Sequence, residues 1–293
     1  MAPSPDPRLP RTAIPRRYDL ELAPDLAASS FSGTVTIDLE MAVEAGEMTL
    51  NAADLVIDSA ELAGPDGTTH PASVALDEPE QRATLTFATA LAAGPGYRLA
   101  MRFTGILNDQ LRGFYRSRFD DDSGVGHTIA TTQFEPADAR RAFPCWDEPE
   151  LKATFAVALV VDEDLTALSN GAEISSEGTG DAKRRVRFAE TMPMSTYLVA
   201  FVIGPFEVSA ATEVDGVPLR IATPPGRAEL TSFATEVGVH ALSFLASYFG
   251  LAYPHDKIDH VAIPDFAFGA MENLGCVTYR ETALLIDTGR ASQ

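Results

Sequence analysis

Apolar and polar residues alternate along several stretches in the first two hundred positions of the chain. The alternation is clear at Tyr18, Leu20 and Leu22, and it recurs over residues 35–41 and 97–103. Because successive side chains of a β-strand point to opposite faces, this period predicts strands with one buried and one solvated face. The pattern favours a mainly β fold that opens with an antiparallel β-sandwich. Turn-forming sequences separate the stretches, namely Gly64-Pro65-Asp66-Gly67, Gly94-Pro95-Gly96 and Ser169-Asn170-Gly171, and residues 177–183 are typical of a hairpin tip.

A different pattern begins near residue 209. Residues 217–222 are typical of a strand, and beyond residue 226 apolar residues recur with the period of about 3.6 that indicates a helix. We predict this helix over residues 227–249, with Gly250 as its C-terminal cap and further strands over 258–263 and part of 276–286. The apolar stripe of the helix consists of Leu230, Phe233, Val237, Ala241, Phe244 and Tyr248.

The change from strands alone to strand–helix–strand order predicts two units, residues 1–209 and residues 210–293. The second unit is short for a self-contained hydrophobic core. We therefore expect that the chain is truncated, and that the helix presents its apolar stripe to a layer outside it.

The charge balance narrows the range of partners. The 293 residues include 42 acidic and 22 basic side chains, which gives a formal net charge of -20. Phosphate backbones and anionic lipid surfaces attract clustered Lys and Arg, so we expect neither nucleic acid nor a membrane as partner. The sequence offers no clean apolar span of about 20 residues and no secretory signal. The oligomeric state is left open.

Cysteine usage indicates the compartment. Cys145 and Cys276 lie far apart and outside any C-x-x-C pattern. This pattern favours two buried free thiols over a single disulfide bridge. Because disulfides are rare in the reducing cytosol, it also favours a cytoplasmic location.

Common self-contained catalytic motifs are missing from the sequence. The five histidines include no H-E-x-x-H, and neither a phosphate-binding loop nor G-x-S-x-G occurs. His255-Asp256 and Asp259-His260 come nearest to a ligand cluster, but alternation along a strand would turn Asp259 away from His260. We predict no metal site and no complete set of catalytic residues within this chain.

Residues 132–149 form an acidic cluster that contains the only tryptophan of the chain. Pro136 keeps the residue before it out of the helical conformation, so Glu135 is predicted to end a strand where it could face a cleft. The other charged residues could instead brace a long loop as an ion-pair network; they are Asp138, Arg140, Arg141, Asp147 and Glu148.

Residues 266–275 form a second candidate segment. Gly269 and Ala270 would not obstruct a ligand backbone, so an extended peptide could pair with an edge here. Glu272 would then place a carboxylate near the end of that peptide. On spacing alone, a glycine-rich turn with a solvated glutamate is slightly favoured.

Taken together, the two segments resemble the aminopeptidase N family of zinc metallopeptidases. Residues 269–273 are similar to the G-A-M-E-N exopeptidase motif of that family. Residues 133–149, which contain D-A-R-R-A-F-P-C-W-D-E-P, resemble its second signature. The two signatures follow in the family's order, about 120 residues apart, and most of the chain lies within the resemblance.

The resemblance implies a fold and a ligand. The fold is an antiparallel β-sandwich followed by the beginning of a thermolysin-like α+β catalytic domain. The ligand is a peptide with a free N-terminus, whose α-amine Glu135 and Glu272 would bind. The substrate-binding residues that the resemblance implies are Gln133, Glu135, Phe268, Gly269, Ala270, Met271, Glu272 and Asn273.

Within that set, Gln133 and Phe268 would line the pocket for the first side chain, and Gly269 and Ala270 would hold the peptide main chain. The family's zinc ligands, H-E-x-x-H and a more distant Glu, do not occur in this sequence, nor does its oxyanion-stabilising tyrosine. The resemblance therefore implies zinc held by residues beyond Gln293, and we expect this chain alone to be inactive. The alternative is a non-catalytic β-sandwich that binds peptides or another protein.

Overall fold

The structure is a computed structural model that describes residues 8–121 and 123–287. Its strands and α-helices follow one another as β1 (Ala13–Asp25), β2 (Ser30–Met41), β3 (Ala45–Asn51), β4 (Leu55–Ala63), β5 (Thr69–Asp77), β6 (Arg82–Leu91), β7 (Gly94–Ile106), β8 (Gly113–Asp120), β9 (Gly126–Gln133), β10 (Thr154–Asp162), β11 (Thr166–Ser169), β12 (Glu173–Gly180), β13 (Lys183–Phe188), β14 (Phe201–Gly204), β15 (Glu207–Val208), β16 (Thr212–Val214), β17 (Val217–Thr223), α1 (Ser232–Phe249), β18 (Ile258–Ile263), β19 (Ala270–Met271), β20 (Cys276–Arg280) and α2 (Glu281–Leu284). Short 3-10 helices lie at Ala139–Arg141, Thr196–Leu198 and Ala228–Thr231.

A ten-stranded sheet dominates the N-terminal region. Its strand order is β12-β13-β10-β1-β2-β7-β4-β5-β6-β3. The described strand pairs of this sheet are antiparallel, as predicted, except that β1 runs parallel to β10. Since more than a hundred residues separate these two strands in sequence, no short hairpin forces them to be antiparallel.

The second layer is a four-stranded sheet in the order β11-β14-β9-β8. Buried side chains from both sheets share one hydrophobic core, which confirms the predicted sandwich. Tyr18, from β1, is fully buried and its ring stacks on Phe155 at 4.8 Å between centroids. Across the layers, the rings of Phe31 and Phe114 lie 5.2 Å apart. Burial of each such side chain contributes about 1.5–3 kcal/mol, so the alternating pattern accounts for the position of this core.

The third sheet contains the strand–helix–strand segment. Its order is β15-β17-β18-β20-β19, with β16 paired to β17. Strands β17, β18 and β20 are parallel neighbours, and the short β19 lies antiparallel to β20 at the edge. The sheet already includes β15 (Glu207–Val208), just before the division predicted at 209/210, and that division stays a prediction.

Helix α1 turns its apolar stripe to solvent. Phe244 is 54% exposed and Tyr248 is 71% exposed. The side of the helix that faces the sheet carries Ala234 and Gly238 together with the partly buried Val239 and Leu242. The approach is close at Gly238, where a Cβ atom would lie 3.0 Å from Leu219. The helix ends at Gly250, whose left-handed conformation (φ 65°) confirms the predicted cap. No helix in the described part of the chain is long and apolar enough to cross a membrane.

Candidate functional site

The G-A-M-E-N segment forms an open edge of the third sheet. Ala270 lies opposite Tyr279, and the amide of Arg280 donates to the carbonyl oxygen of Gly269 at 3.0 Å. Hydrogen-bonded and non-hydrogen-bonded pairs alternate in antiparallel strands, so the N–H and C=O groups of Ala270 point away from β20. A Cβ atom at Gly269 would meet no atom within 4 Å. This edge can therefore accept the main chain of an extended peptide.

Strand β9 brings the first signature to the same place. Its last residue, Gln133, is buried, and its Nε2 lies 3.5 Å from Sδ of Met271, which is buried as well. The Oε1 atom of Gln133 is buried without a hydrogen-bond partner among the described residues. The contact joins two segments that are 138 positions apart in the sequence.

The two predicted amine-binding carboxylates lie beside this contact in the chain. Glu135 follows Gln133 by two residues and precedes a cis peptide bond to Pro136, and Glu272 directly follows Met271. Both glutamates are exposed. Neither carboxylate has a hydrogen-bond or ion-pair partner in residues 8–121 and 123–287, so both are available to a ligand.

The remaining predicted site residues differ in exposure. Phe268 is 53% exposed, which suits a residue that lines a pocket. Asn273 is buried instead, and its Nδ2 donates to Oγ1 of Thr278 at 3.2 Å. Asn273 therefore shapes the loop from within, and a direct contact of its side chain with substrate stays a prediction.

The predicted ion pairing of residues 138–148 is confirmed for four of the five residues, whereas Glu148 pairs with Arg11 at 2.8 Å instead. Arg140 pairs with Asp147 at 3.0 Å, and Arg141 pairs with Asp138 at 2.6 Å and also with Asp54. Asp147 is buried and also accepts a hydrogen bond from Thr196 at 2.6 Å. These contacts hold the long loop that follows Glu135.

A buried charged cluster behind the edge is not apparent from the sequence. Asp259 is fully buried; Arg220 donates to both of its oxygens, at 2.7 and 2.8 Å, and Lys257 lies 2.7 Å away. Burial by itself would raise the pKa of Asp259, but the charges of Lys257 and Arg220 outweigh it and hold this pKa below its usual value. Arg220 and Asp259 lie on two of the predicted strands, and the observed parallel register sets them side by side.

The two histidines that came nearest to a ligand cluster in the sequence, His255 and His260, contact other side chains of the protein. Burial lowers the pKa of His260 to about 4, and its Nδ1 lies 2.9 Å from the hydroxyl oxygen of Tyr279. His255 pairs with the neighbouring Asp256 at 2.5 Å.

The residues of the described ranges do not fit the zinc ion of the family. No three His, Cys, Asp or Glu side chains among them lie close enough to hold a metal ion. Asp259 is already paired with two cations, and burial raises the pKa of the Cys276 thiol to about 12, so it stays protonated.

A cavity of about 910 Å³ lies away from the edge strand. Val56, Leu76 and Ile106 line it together with Arg112 and Arg141, and none of the predicted site residues does. Its position gives it no part in binding at β19.

Comparison with known proteins identifies the family. Residues 14–198 match the Peptidase M1 N-terminal domain, and residues 233–293 match the Peptidase family M1 domain. The first match alone covers more than half of the chain, so the chain belongs to the M1 peptidase family. The resemblance read from the two signatures is confirmed.

Several relatives share the similarity over nearly the whole chain. Aminopeptidase M1 of Arabidopsis thaliana is 46% identical over 286 residues, which are 96% of this chain and 32% of the relative. Puromycin-sensitive aminopeptidase of Caenorhabditis elegans is 42% identical, over 97% of this chain and 30% of the relative. Aminopeptidase 2, mitochondrial, of Saccharomyces cerevisiae is 41% identical, over 95% and 29%. The chain thus spans about a third of the length of these relatives.

Proposed function

We propose that this chain supplies the part of a peptide-cleaving aminopeptidase that binds the free N-terminus of the substrate. Glu135 and Glu272 hold the α-ammonium group, and the open edge at Ala270 pairs with the peptide main chain. The contact between Gln133 and Met271 carries the proposal, because it ties together the two segments that bear these carboxylates. The relatives, which are aminopeptidases by name, support the class of reaction.

The chemistry of an ammonium group suits two exposed carboxylates without partners. An α-ammonium offers three N–H donors, and each charge-assisted hydrogen bond contributes about 1.5–3 kcal/mol. Two carboxylates that hold the chain end also set the distance from that end to the bond that is cleaved. Internal peptide bonds, which lack the ammonium, are thereby disfavoured.

The role assigned to these residues is binding and orientation. When bound, zinc supplies a Lewis acid and an activated water in this class of peptidase. We propose, on the family resemblance, that its ligands lie outside residues 1–293 and that this chain alone does not cleave peptides. We also propose a cytoplasmic location, which the free, buried thiols of Cys145 and Cys276 support.

Binding of a small amine tests the assignment of the two glutamates. We expect the chain to bind L-leucinamide and not N-acetyl-L-leucinamide, because acetylation removes the charge and two of the donors. Glu272→Gln and Glu135→Gln should each weaken leucinamide binding about tenfold, which corresponds to about 1.4 kcal/mol. Titrations followed by NMR chemical shifts measure both affinities.

Glu44→Gln is the matched control, since Glu44 is an exposed glutamate on a loop of the sandwich. It should bind leucinamide like the unaltered chain. Affinity should also fall as the pH rises above about 8, where the α-amine loses its proton. Equal binding of the acetylated compound, or an unchanged affinity of Glu272→Gln, would refute the amine-binding role.

The activity itself is tested on the protein expressed from the whole gene. Hydrolysis of an aminoacyl amide that a chelator abolishes supports a zinc aminopeptidase. Absence of turnover, or turnover that is insensitive to the chelator, favours the non-catalytic binding module.

A further inference from the structure

We propose that Asn170 is a positioning residue for Glu272, acting through the loop that follows the glutamate. The inference rests on the proposed function of Glu272 and adds a role for a turn that belongs to the β-sandwich.

The side chain of Asn170 ties the sandwich to this loop. It is fully buried, and its Nδ2 donates to the carbonyl oxygens of Leu198 at 2.8 Å and Leu274 at 2.7 Å. Its Oδ1 accepts from the amide of Ala200 at 2.9 Å. Both hydrogens of the side-chain amide are therefore donated in hydrogen bonds, and one of the acceptors, Leu274, lies only two positions after Glu272.

Neighbouring residues of the same turn make further contacts with the second unit. The Nζ atom of Lys257 donates to the carbonyl oxygens of Ser169 at 2.6 Å and Gly275 at 2.7 Å. The amide of Ala172 donates to Asp256 at 3.1 Å. The turn thus contacts both the start of β18 and the loop before β20.

The two backbones also touch at Gly275. A Cβ atom on Gly275 would lie 2.2 Å from the carbonyl oxygen of Asn170, far inside van der Waals contact. Only glycine allows this approach, and its φ of 76° favours glycine as well.

These contacts bracket the exposed carboxylate. On one side of Glu272, Met271 contacts Gln133; on the other, Leu274 is held by Asn170. The carboxylate has no partner of its own among the described residues, so its backbone determines where it lies. A backbone that is fixed before binding spares the ligand the entropic cost of ordering it.

Turn geometry alone does not explain an asparagine at this position. The residues with positive φ, where asparagine is favoured after glycine, do not include Asn170. What the position needs is an amide that donates twice and accepts once.

The first test compares Asn170→Asp with Asn108→Asp. Each change keeps the shape of the side chain and removes its donors. Asn108 also donates to two carbonyls, but these belong to Arg112 and Phe114, which are at most six positions away in the sequence. We expect Asn170→Asp to speed amide hydrogen exchange in residues 271–276 and to weaken leucinamide binding about tenfold. Asn108→Asp should leave both at the values of the unaltered chain. Measurements are made well below the melting temperature of every variant, with peptides from β1 and β10 as internal references for exchange.

The second test approaches the contact from the other side. Gly275→Ala introduces a methyl group against Asn170, whereas Gly216→Ala adds one at a similar φ of 82° with no atom within 4 Å. We expect only Gly275→Ala to reproduce the faster exchange and weaker binding. This pair also keeps the inference testable if Asn170→Asp fails to fold.

Unchanged exchange of residues 271–276 in both Asn170→Asp and Gly275→Ala would overturn the inference. So would a loss of affinity that simply follows melting temperature across all four variants. If the unaltered chain binds leucinamide and its acetylated form equally, the proposed function fails, and with it the idea that Asn170 positions Glu272 for an amine. Hydrogen exchange of residues 271–276 still decides whether Asn170 holds the loop.

Discussion

Two acidic residues near the edge strand, Asp259 and Glu272, have opposite surroundings. Asp259 is fully buried between Arg220 and Lys257, whereas Glu272 is exposed and has no partner among the described residues. Removing one partner of a buried ion pair typically costs about 3–5 kcal/mol, because a charge is left uncompensated. These surroundings indicate that Asp259 stabilises the fold, whereas the carboxylate of Glu272 is accessible to a ligand.

His260 should make the stability of the chain depend on pH. Burial lowers its pKa to about 4 in the native state, whereas an exposed histidine has a pKa of about 6.5. Between these values the unfolded state binds a proton that the native state does not, so the free energy of unfolding falls as the pH drops through this range. We expect a loss of at most about 3–4 kcal/mol from this residue, most of it between pH 6 and 4. The lowered pKa of Asp259 has the same sign, but its effect falls in more acidic solution.

Urea unfolding at several pH values from 7.5 to 4.5 measures how the free energy of unfolding depends on pH. His260→Gln should flatten it, whereas His70→Gln, a change on the sandwich, should not. A slope in His260→Gln equal to that of the unaltered chain contradicts the prediction.

At the scale of the element, the period of the sequence predicted most of the strands. Tyr18, Leu20 and Leu22 are buried as alternation requires, and Ile258–Ile263 forms the predicted strand. Alternation reports which side of a strand is buried but not which strand lies beside it. The parallel pairing of β1 with β10 therefore could not be predicted.

The helix shows a second limit of periodic patterns. Its apolar stripe is exposed, as expected for a face presented to a layer outside the chain, but the period did not show that the sheet contacts the opposite face, at Ala234 and Gly238. Periodicity cannot distinguish two faces that are both free of charge. Likewise, the site motifs were recognisable from the sequence, whereas the contact of Gln133 with Met271 depends on tertiary structure.

Substitutions on the two faces of α1 should have unequal effects on stability. Phe244→Gln and Tyr248→Gln are expected to change the free energy of unfolding by less than about 0.5 kcal/mol, because both side chains are more than half exposed. Leu219→Ala, in the strand that contacts the opposite face, should cost about 2–5 kcal/mol. Denaturant titrations of the three variants check this. Equal losses at Phe244 and Leu219 would mean that the stripe is covered in solution.

For the molecule as a whole, the two regions share a hydrophobic core. One buried cluster combines Ile129, Leu168 and Val202 of the sandwich with Val261 and Phe266 of the second region. A polar contact adds to it, since the hydroxyl of Tyr115 donates to the carbonyl oxygen of Asp265 at 2.9 Å. Neither region completes its packing alone.

We therefore predict a single cooperative unfolding transition for the chain. Differential scanning calorimetry should show one peak, and residues 1–209 expressed alone should aggregate because they expose the shared cluster. Two resolved peaks, or a soluble monomeric 1–209 fragment, would show that the regions fold independently. A variant with Tyr115→Phe should lower the melting temperature without splitting the peak.

The pairing of β1 with β10 also has a consequence during protein synthesis. Strand β1 ends at Asp25, but its parallel neighbour begins only at Thr154. At about 5–20 residues per second, the ribosome needs roughly six to twenty-five seconds to produce the partner. Throughout that interval one edge of β1 in the nascent polypeptide has no partner strand. Such an unpaired edge can bind chaperones or pair prematurely with other nascent chains.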